Sequence, residues 1–131
     1  MKSASYSATR SLILLCLLAF HLHTLAAQDY FWVGGPGKWS EYNTHWAKIP
    51  NPTVAADFHA NVPTSGNDVY FTSNASPFTA YVAGTAYTLD VDAGSTVPKC
   101  RDMDWTGVPA GTVWGGGGGR MDIYGSLTMD A

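Results

Sequence analysis

The sequence predicts an all-β fold, built as a β-solenoid or, alternatively, as a small β-sandwich. Three observations lead to this prediction: apolar and polar residues alternate with period two, turn-rich stretches separate the alternating segments, and helical periodicity is scarce. Between positions 48 and 67 the chain carries Pro50, Pro52 and Pro63, which favour a loop. The strands are therefore expected outside this segment.

Three segments show the alternation most clearly: "DVYFT", "TLDVDA" and "MDIYGSLTM". Each presents apolar side chains on one face and polar ones on the other, as a half-buried strand does, and the Val, Ile, Tyr and Thr residues suit that conformation. The expected inward positions are Val69, Phe71, Leu89, Val91, Ala93, Met121, Ile123, Leu127 and Met129.

Similar positions recur about twenty residues apart, which is the length of one solenoid coil. Met103 corresponds to Ile123, and Asp102 corresponds to Asp122. This repeat favours a solenoid in which each coil stacks its inward apolar residues on the coil before it. Short strands at intervals of 8 to 12 residues are also typical of a β-sandwich, so that alternative stays open.

Residues 1–27 have the three-part layout of a secretory signal peptide. Lys2 and Arg10 precede an apolar run from Leu12 to Phe20, and the small residues of "TLAA" follow. The run is shorter than a membrane span requires, so we expect a secreted or cell-surface protein without a membrane span in the mature chain. The expected organisation is a signal peptide at 1–27, a Trp- and Gly-rich cap and loop at 28–67, and solenoid coils at 68–131.

The charge balance excludes nucleic acid as an expected partner. The whole chain has a formal charge of −3, and loss of Lys2 and Arg10 with the leader makes it −5. Nucleic-acid binding needs a basic surface. Only Cys100 remains in the mature part, so no intramolecular disulfide can form, and its parity with Asp102 predicts an outward-facing free thiol.

Trp32, Trp39 and Trp46 recur at intervals of seven residues. A helix seam would explain that spacing, but the "GGPG" at 34–37 would cost roughly 1 to 3 kcal/mol per residue inside a helix. We therefore expect a short strand ending near Trp32, a tight turn, and two further indoles that fold over the open edge of the first coil as an aromatic cap. A carbohydrate platform made of the three ring faces is the alternative for these residues.

Five aspartates share the outward parity of their strands. Clustered carboxylates can bind calcium, which takes six to eight oxygen ligands, so calcium is the one candidate ion. Solvated acids that keep a sheet edge soluble explain the same pattern, and no other cofactor is expected. The aspartates are Asp90, Asp92, Asp102, Asp104 and Asp122.

Enzymatic function is not expected. Arg101 or Arg120 beside Asp102 and Asp122 would form the constellation of a polysaccharide lyase, yet surface ion pairs account for the same residues. Cys100 lacks a neighbouring base that would make it a nucleophile. His45 and His59 are too isolated in the sequence to define a metal site and are expected as loop or cap contacts.

The set of motifs "WVGGPGKWSEYNTHW", "DVYF", "KCRDMDWTG" and "MDIYGSLTM" resembles the N-terminal region of large bacterial exported surface proteins. These are adhesin-like and gliding-motility-associated proteins similar to type IX secretion cargo, with a looser similarity to the β-strand repeats of autotransporter passenger domains. The resemblance implies that the aromatic segment opens a right-handed parallel β-helix.

These observations together predict an exported, non-enzymatic module that supplies structure or adhesion at the cell surface. Its expected partners are an extracellular polysaccharide or a surface protein. The apolar positions of "MDIYGSLTMDA" lack a following coil, so we expect the chain to be the N-terminal fragment of a longer protein. The alternative function is a polysaccharide-binding or polysaccharide-cleaving β-helix.

Overall fold

The computed structural model describes residues 27–91, 97–115 and 120–130, and these residues form an all-β structure. One short helix, α1 at Tyr42–His45, and a single 3₁₀ turn at Ala55–Asp57 interrupt the strands. The ten strands of the described residues are β1 Asp29–Trp32, β2 Gly37–Lys38, β3 Trp46–Ala47, β4 Asp68–Phe71, β5 Thr88–Asp90, β6 Lys99–Cys100, β7 Met103–Asp104, β8 Val113–Gly115, β9 Asp122–Ile123 and β10 Leu127–Thr128.

The strands form three sheets in which nearly all neighbours are parallel. The first sheet has the order β10-β7-β4-β1-β3, the second β2-β5-β8 and the third β6-β9. Among these pairs only β1 and β3 run antiparallel. From β4 onward the chain therefore passes through the first, second and third sheets in turn, and each new strand pairs with the previous strand of its sheet.

The register of the parallel pairs gives the length of each pass. Met103 pairs with Leu127, 24 residues later, and Cys100 pairs with Ile123, 23 residues later. The expected match of Met103 with Ile123, and of Asp102 with Asp122, is therefore wrong. Asp122 instead pairs with Lys99. The pass from β4 to β7 is longer, with Val69 beside Met103.

A change in chain direction explains why the alternation in "KCRDMDW" gave a wrong prediction for Cys100. The chain bends at Arg101 and Asp102 between β6 and β7, which belong to different sheets, so alternation does not continue across the bend. Cys100 is fully buried, and the expectation of an outward-facing thiol is wrong. The two strands β9 and β10 are separated by a similar bend at Gly125, where a side chain would collide with the Asp102 carboxylate.

The core lies between the sheets and includes residues from both sides of position 67. Val69 and Leu89 are fully buried and Phe71 is 2% exposed, as the alternation predicted. Side chains of β1 and β3 join those of β4, β5 and β7 in one apolar cluster. Its buried members are Tyr30, Trp32, Trp39, Trp46, Val69, Phe71, Tyr87, Leu89, Cys100 and Met103.

The two ends of the first sheet differ. At one end β3 covers β1, and Ala47 also forms an antiparallel bridge with Phe58. At the other end β10 is the edge strand, and Leu127 is 52% exposed although it is in register with the buried Met103. The apolar interior is therefore closed at the β3 end and open at the β10 end of the described chain.

Several sequence expectations fall on residues that the structure does not describe. The signal-peptide segment lies almost wholly within 1–26, and Asp92 and Ala93 lie within 92–96. Within the described ranges, no helix is both long and apolar enough to cross a membrane.

Candidate functional site

The three tryptophans of the seven-residue repeat meet in the interior. Trp32 and Trp46 are fully buried and Trp39 is 3% exposed. The Trp46 ring stands edge-on to both others, with centroid distances of 5.0 Å to Trp32 and 4.7 Å to Trp39. This edge-to-face arrangement is the one that aromatic quadrupoles favour.

Backbone carbonyls fix the orientation of two of these rings. Trp32 Nε1 donates a hydrogen bond to the carbonyl of Gly35, and Trp46 Nε1 donates one to the carbonyl of Trp39, both at 2.9 Å. The turn at Gly34 and Gly35, where both residues have positive φ, brings these groups together. The rings pack under the turn, so none of the three presents a ring face on which a sugar could stack.

His45 lies flat against Trp32, with ring centroids 4.5 Å apart and planes 8° from parallel. Its Nδ1 lies 2.7 Å from the carbonyl oxygen of Val33. Because a carbonyl can only accept, the neutral ring carries its proton on Nδ1. Burial lowers the pKa of His45, while the Val33 hydrogen bond and the nearby Glu41 carboxylate act in the opposite direction.

His59 makes the same two kinds of contact as His45, at Tyr30 and Asp29 of β1. It stacks on Tyr30 with centroids 3.6 Å apart and an interplanar angle of 13°. Its Nε2 donates to the carbonyl oxygen of Asp29 at 2.9 Å. Burial lowers the pKa of His59 as well. The two histidines are thus contacts of the aromatic segment, and each packs its imidazole against an aromatic residue of β1.

The four candidate calcium ligands that the structure describes do not converge. Asp102 accepts a hydrogen bond from the Ser126 amide at 2.6 Å, and Asp104 accepts from Thr106. Asp122 pairs with Arg120, and Asp90 lies in the second sheet. Within residues 27–91, 97–115 and 120–130, no group of three or more His, Cys, Asp or Glu side chains is arranged around a common point.

Both arginines of the lyase hypothesis are engaged in ion pairs. Arg101 makes a two-pronged contact with the Asp68 carboxylate and lies 3.4 Å from Asp102. Arg120 Nε lies 2.6 Å from Asp122 Oδ1. These carboxylates raise the pKa of both arginines. A guanidinium held in its charged form is poorly suited to abstract a proton.

Cys100 is also unsuited to nucleophilic chemistry. Burial, reinforced by the negative charges of Asp102 and Asp68, raises the pKa of its thiol to about 11. The thiolate, which is the reactive form, is therefore scarce at neutral pH. The side chain instead contributes to the apolar core beside Met103.

An open groove on the outer surface of the first sheet was missed by the sequence analysis. It encloses about 270 Å³ along β4, β7 and the segment that includes β10. We call it the outer groove. Its lining residues are Asp68, Val69, Tyr70, Asp102, Met103, Asp104, Ser126 and Thr128.

Tyr70 is the aromatic centre of the outer groove. Its ring stacks on Phe31 with centroids 5.1 Å apart and an interplanar angle of 21°. Burial raises the pKa of its hydroxyl, and the carboxylates of Asp29, Asp68 and Asp104 raise it further. The groove thus combines an aromatic ring, hydroxyl groups and carboxylate acceptors. Such a surface can accept hydrogen bonds from a polyol and favours neutral or cationic ligands over anionic ones.

The polar face of "DVYFT" was the available signal for this groove. The shape of the groove, however, depends on the register between strands. Tyr70 pairs with Asp104, and Asp104 pairs with Thr128. These residues are separated by 34 and 24 positions, and neither interval could be read from the sequence.

Comparisons of the chain with protein-family models, curated proteins and solved structures found no match. The resemblance to exported bacterial surface proteins therefore stays a prediction that rests on the sequence motifs.

Proposed function

We propose that this chain is an exported, non-enzymatic surface module, the N-terminal part of a longer β-helical protein that supplies structure or adhesion. The observation that carries the proposal is the stacking of parallel strands in three separate sheets. A chain that returns to the same three sheets beside its previous strand can extend as a rod, because each coil supplies the template for the next.

The register supports a solenoid over a β-sandwich. Val69, Met103 and Leu127 form one inward row across three successive strands. In the second sheet Leu89 and Trp114 continue another such row. Sandwiches are built mainly from antiparallel strands, whereas β3 makes the one antiparallel strand pairing among the described strands.

The aromatic segment supports the assignment of an N-terminal cap. The β3 strand closes the free side of β1, and the indoles of Trp39 and Trp46 pack onto Phe71 of the next coil. An uncovered first coil would expose unpaired backbone groups and apolar surface. A cap at this end therefore allows a solenoid to begin without an aggregation-prone edge.

The proposed role outside the cell rests on the leader-like segment and the acidic mature part. The ion-paired arginines and the buried thiol support a binding or structural role over a catalytic one. The partners proposed are an extracellular polysaccharide or a surface protein, and calcium stays a candidate ion because Asp92 falls outside the described residues.

Export can be tested with the full chain carrying a C-terminal epitope tag in a bacterial host. We expect N-terminal sequencing of the exported protein to begin between Ala27 and Asp29, because small residues precede these positions. A matched chain lacking residues 2–26 should stay in the cytoplasm. Retention of the complete chain in the cytoplasm with Met1 intact would contradict the export proposal.

The outer groove favours a second candidate function, polysaccharide binding. Sugar sites commonly place an aromatic ring beside hydroxyl and carboxylate groups, as Tyr70 is placed here.

A glycan array probed with the purified chain should give signals that Tyr70→Ala abolishes. Tyr124→Ala is the matched control, since Tyr124 is 61% exposed and does not line the groove. Signals that survive Tyr70→Ala, or no signal at all, would contradict this role. Incubation of bound polysaccharides and chromatography of the products would detect any cleavage.

A further inference from the structure

We propose that residues 34–59, here called the cap, are an acid-sensitive latch: neutral His45 and His59 hold the cap on β1, and protonation of the two rings releases it. This inference does not depend on export or adhesion. It rests on the positions of the two imidazoles, which join the cap to the first strand at its opposite ends.

His45 joins the cap to the C-terminal end of β1. The ring is 3% exposed, stacks on Trp32 and donates to the Val33 carbonyl. Its other nitrogen, Nε2, lies close against Gly37, where even a methyl group would collide with the ring. A charged imidazolium has little access to water in this position, so protonation favours a displaced ring.

The charged group facing His45 is Glu41, whose Oε2 lies 3.5 Å from His45 Nε2. Its side chain is 44% exposed, so solvent screens the attraction that would otherwise favour the protonated ring. Burial is the largest influence on the pKa of His45 and lowers it despite this carboxylate.

His59 joins the cap to the N-terminal end of β1. It stacks on Tyr30 and donates to the Asp29 carbonyl, while its backbone amide donates to the Trp46 carbonyl of β3. The charge of Lys48 faces this ring and opposes its protonation. One histidine therefore contacts both strands of the β1–β3 pair.

The direction of the pH dependence follows from the lowered pKa values. Above the ordinary histidine pKa of 6.5 both rings are neutral with the cap attached or released, and the latch is at full strength. As the pH falls below 6.5, the released form binds protons more readily than the attached form, so stability is lost. Asp57 is the other cap residue with a lowered pKa; its contribution is lost only as the pH falls below 3.8, which is a separate window.

Release of the cap would have a defined structural consequence. The β3 strand pairs with β1 through Phe31–Ala47 and Trp32–Trp46. Without it, β1 becomes an edge strand with unpaired backbone groups that can accept a strand from another molecule. Acidification would therefore convert a closed end of the sheet into an open one.

Amide hydrogen exchange on the purified full chain between pH 7.5 and pH 5.5 tests the latch. After correction for intrinsic exchange, protection of the Val33 amide, which follows β1 and bonds to the His45 carbonyl of the cap, should fall by about tenfold. The Met103 amide, which bonds to Ser126, is the internal reference and should change little. In the double variant H45Q/H59Q the loss of protection between pH 7.5 and pH 5.5 should be the same at Val33 and at Met103. The control variant H21Q/H23Q should behave as the parent chain.

An NMR titration of the parent chain keeps the proposal testable if the double variant does not fold. The His45 and His59 ring signals, assigned by single His→Gln substitutions, should titrate below pH 6.5. Titration of either ring at or above pH 6.5, or equal loss of protection at Val33 and at Met103 in the parent chain, would overturn the latch.

Discussion

At the scale of single residues, the aromatic repeat acts through burial and not through exposed ring faces. Trp46 contacts Tyr30, Trp32, Trp39 and Phe71, and its indole nitrogen is hydrogen bonded. Among the described rings, only Phe71 makes more aromatic contacts than Trp46. The free energy of unfolding should therefore depend strongly on this side chain.

We expect Trp46→Ala to lower the free energy of unfolding by about 3 to 5 kcal/mol, because it removes a fully buried ring and leaves a cavity. Urea denaturation followed by circular dichroism measures the change. Tyr124→Ala, at a 61% exposed side chain, should change stability by less than about 0.5 kcal/mol. Equal effects of the two substitutions would contradict the packing role of Trp46.

Cys100 gives a second prediction at this scale. With a pKa near 11, only about one thiol in a thousand is ionised at pH 8, and the side chain is fully buried. Labelling with a thiol-specific chromophore at pH 8 should therefore be slow in buffer and fast in denaturant. Residue Cys16 is removed by Cys16→Ser so that one thiol is observed. Rapid labelling of the folded chain would contradict the burial of Cys100.

At the scale of elements, bends between short strands need their own stabilising contacts. The bend between β6 and β7 is held by Arg101, which contacts the Asp68 carboxylate at the start of β4. The Asp102 amide also lies 3.3 Å from this carboxylate. Asp68 therefore connects the start of β4 to the bend between β6 and β7.

We expect Asp68→Asn to lower the free energy of unfolding by about 1 to 2 kcal/mol, since a two-pronged, partly buried charge contact is lost. Arg120→Gln is the matched control because the Arg120 side chain is 74% exposed, so solvent screens its pair with Asp122 and the loss of stability should be smaller. Urea denaturation at low and at high salt measures the effect of each substitution on stability. The effect of Asp68→Asn should shrink at high salt. A larger loss of stability for Arg120→Gln than for Asp68→Asn would contradict the proposed role of Asp68 at the bend between β6 and β7.

At the scale of the whole molecule, the last strands of the first two sheets, β10 and β8, expose apolar side chains. Leu127 of β10 is 52% exposed, Met129 just after it is 58% exposed, and Trp114 of β8 is 39% exposed. Unpaired strand edges that carry apolar side chains favour association with other chains.

We therefore expect the purified chain to self-associate as its concentration rises, and Leu127→Lys to reduce this association. Val82→Lys is the matched control, since Val82 is 72% exposed and lies outside every strand. Light scattering across a concentration series measures the effect. A chain that stays monomeric at all concentrations, or that responds equally to both substitutions, would show that this edge is not the site of association.

Calcium provides a second prediction for the whole molecule. The Asp102, Asp104 and Asp122 carboxylates are used in hydrogen bonds or ion pairs, and the described residues hold no cluster of acidic side chains that could bind a metal ion. We therefore expect millimolar calcium to shift Tm by less than about 1 °C. Thermal melts with calcium and with a chelator measure the shift. A rise of several degrees that is lost in Asp92→Asn would instead identify a site that includes Asp92.

The sequence by itself determined the fold class and the inward faces of the longer strands. Alternation in "DVYF" and "TLDV" sets Val69, Phe71 and Leu89 inward, because side chains on a strand point to opposite faces in turn. The Gly- and Pro-containing "GGPG" likewise excluded a helix through the tryptophans. These are local properties of the backbone, so neighbouring residues are enough to reveal them.

Only the tertiary structure decided the register, the direction of Cys100 and the outer groove. Alternation holds within a strand but is reset at each bend, so a single bend at Arg101 and Asp102 turned an expected surface thiol into a core residue. The partners of a parallel strand lie 23 or more residues away along the chain, and the intervening turns vary in length. The groove around Tyr70 and the histidine contacts on β1 depend on such distant pairings, which no local pattern encodes.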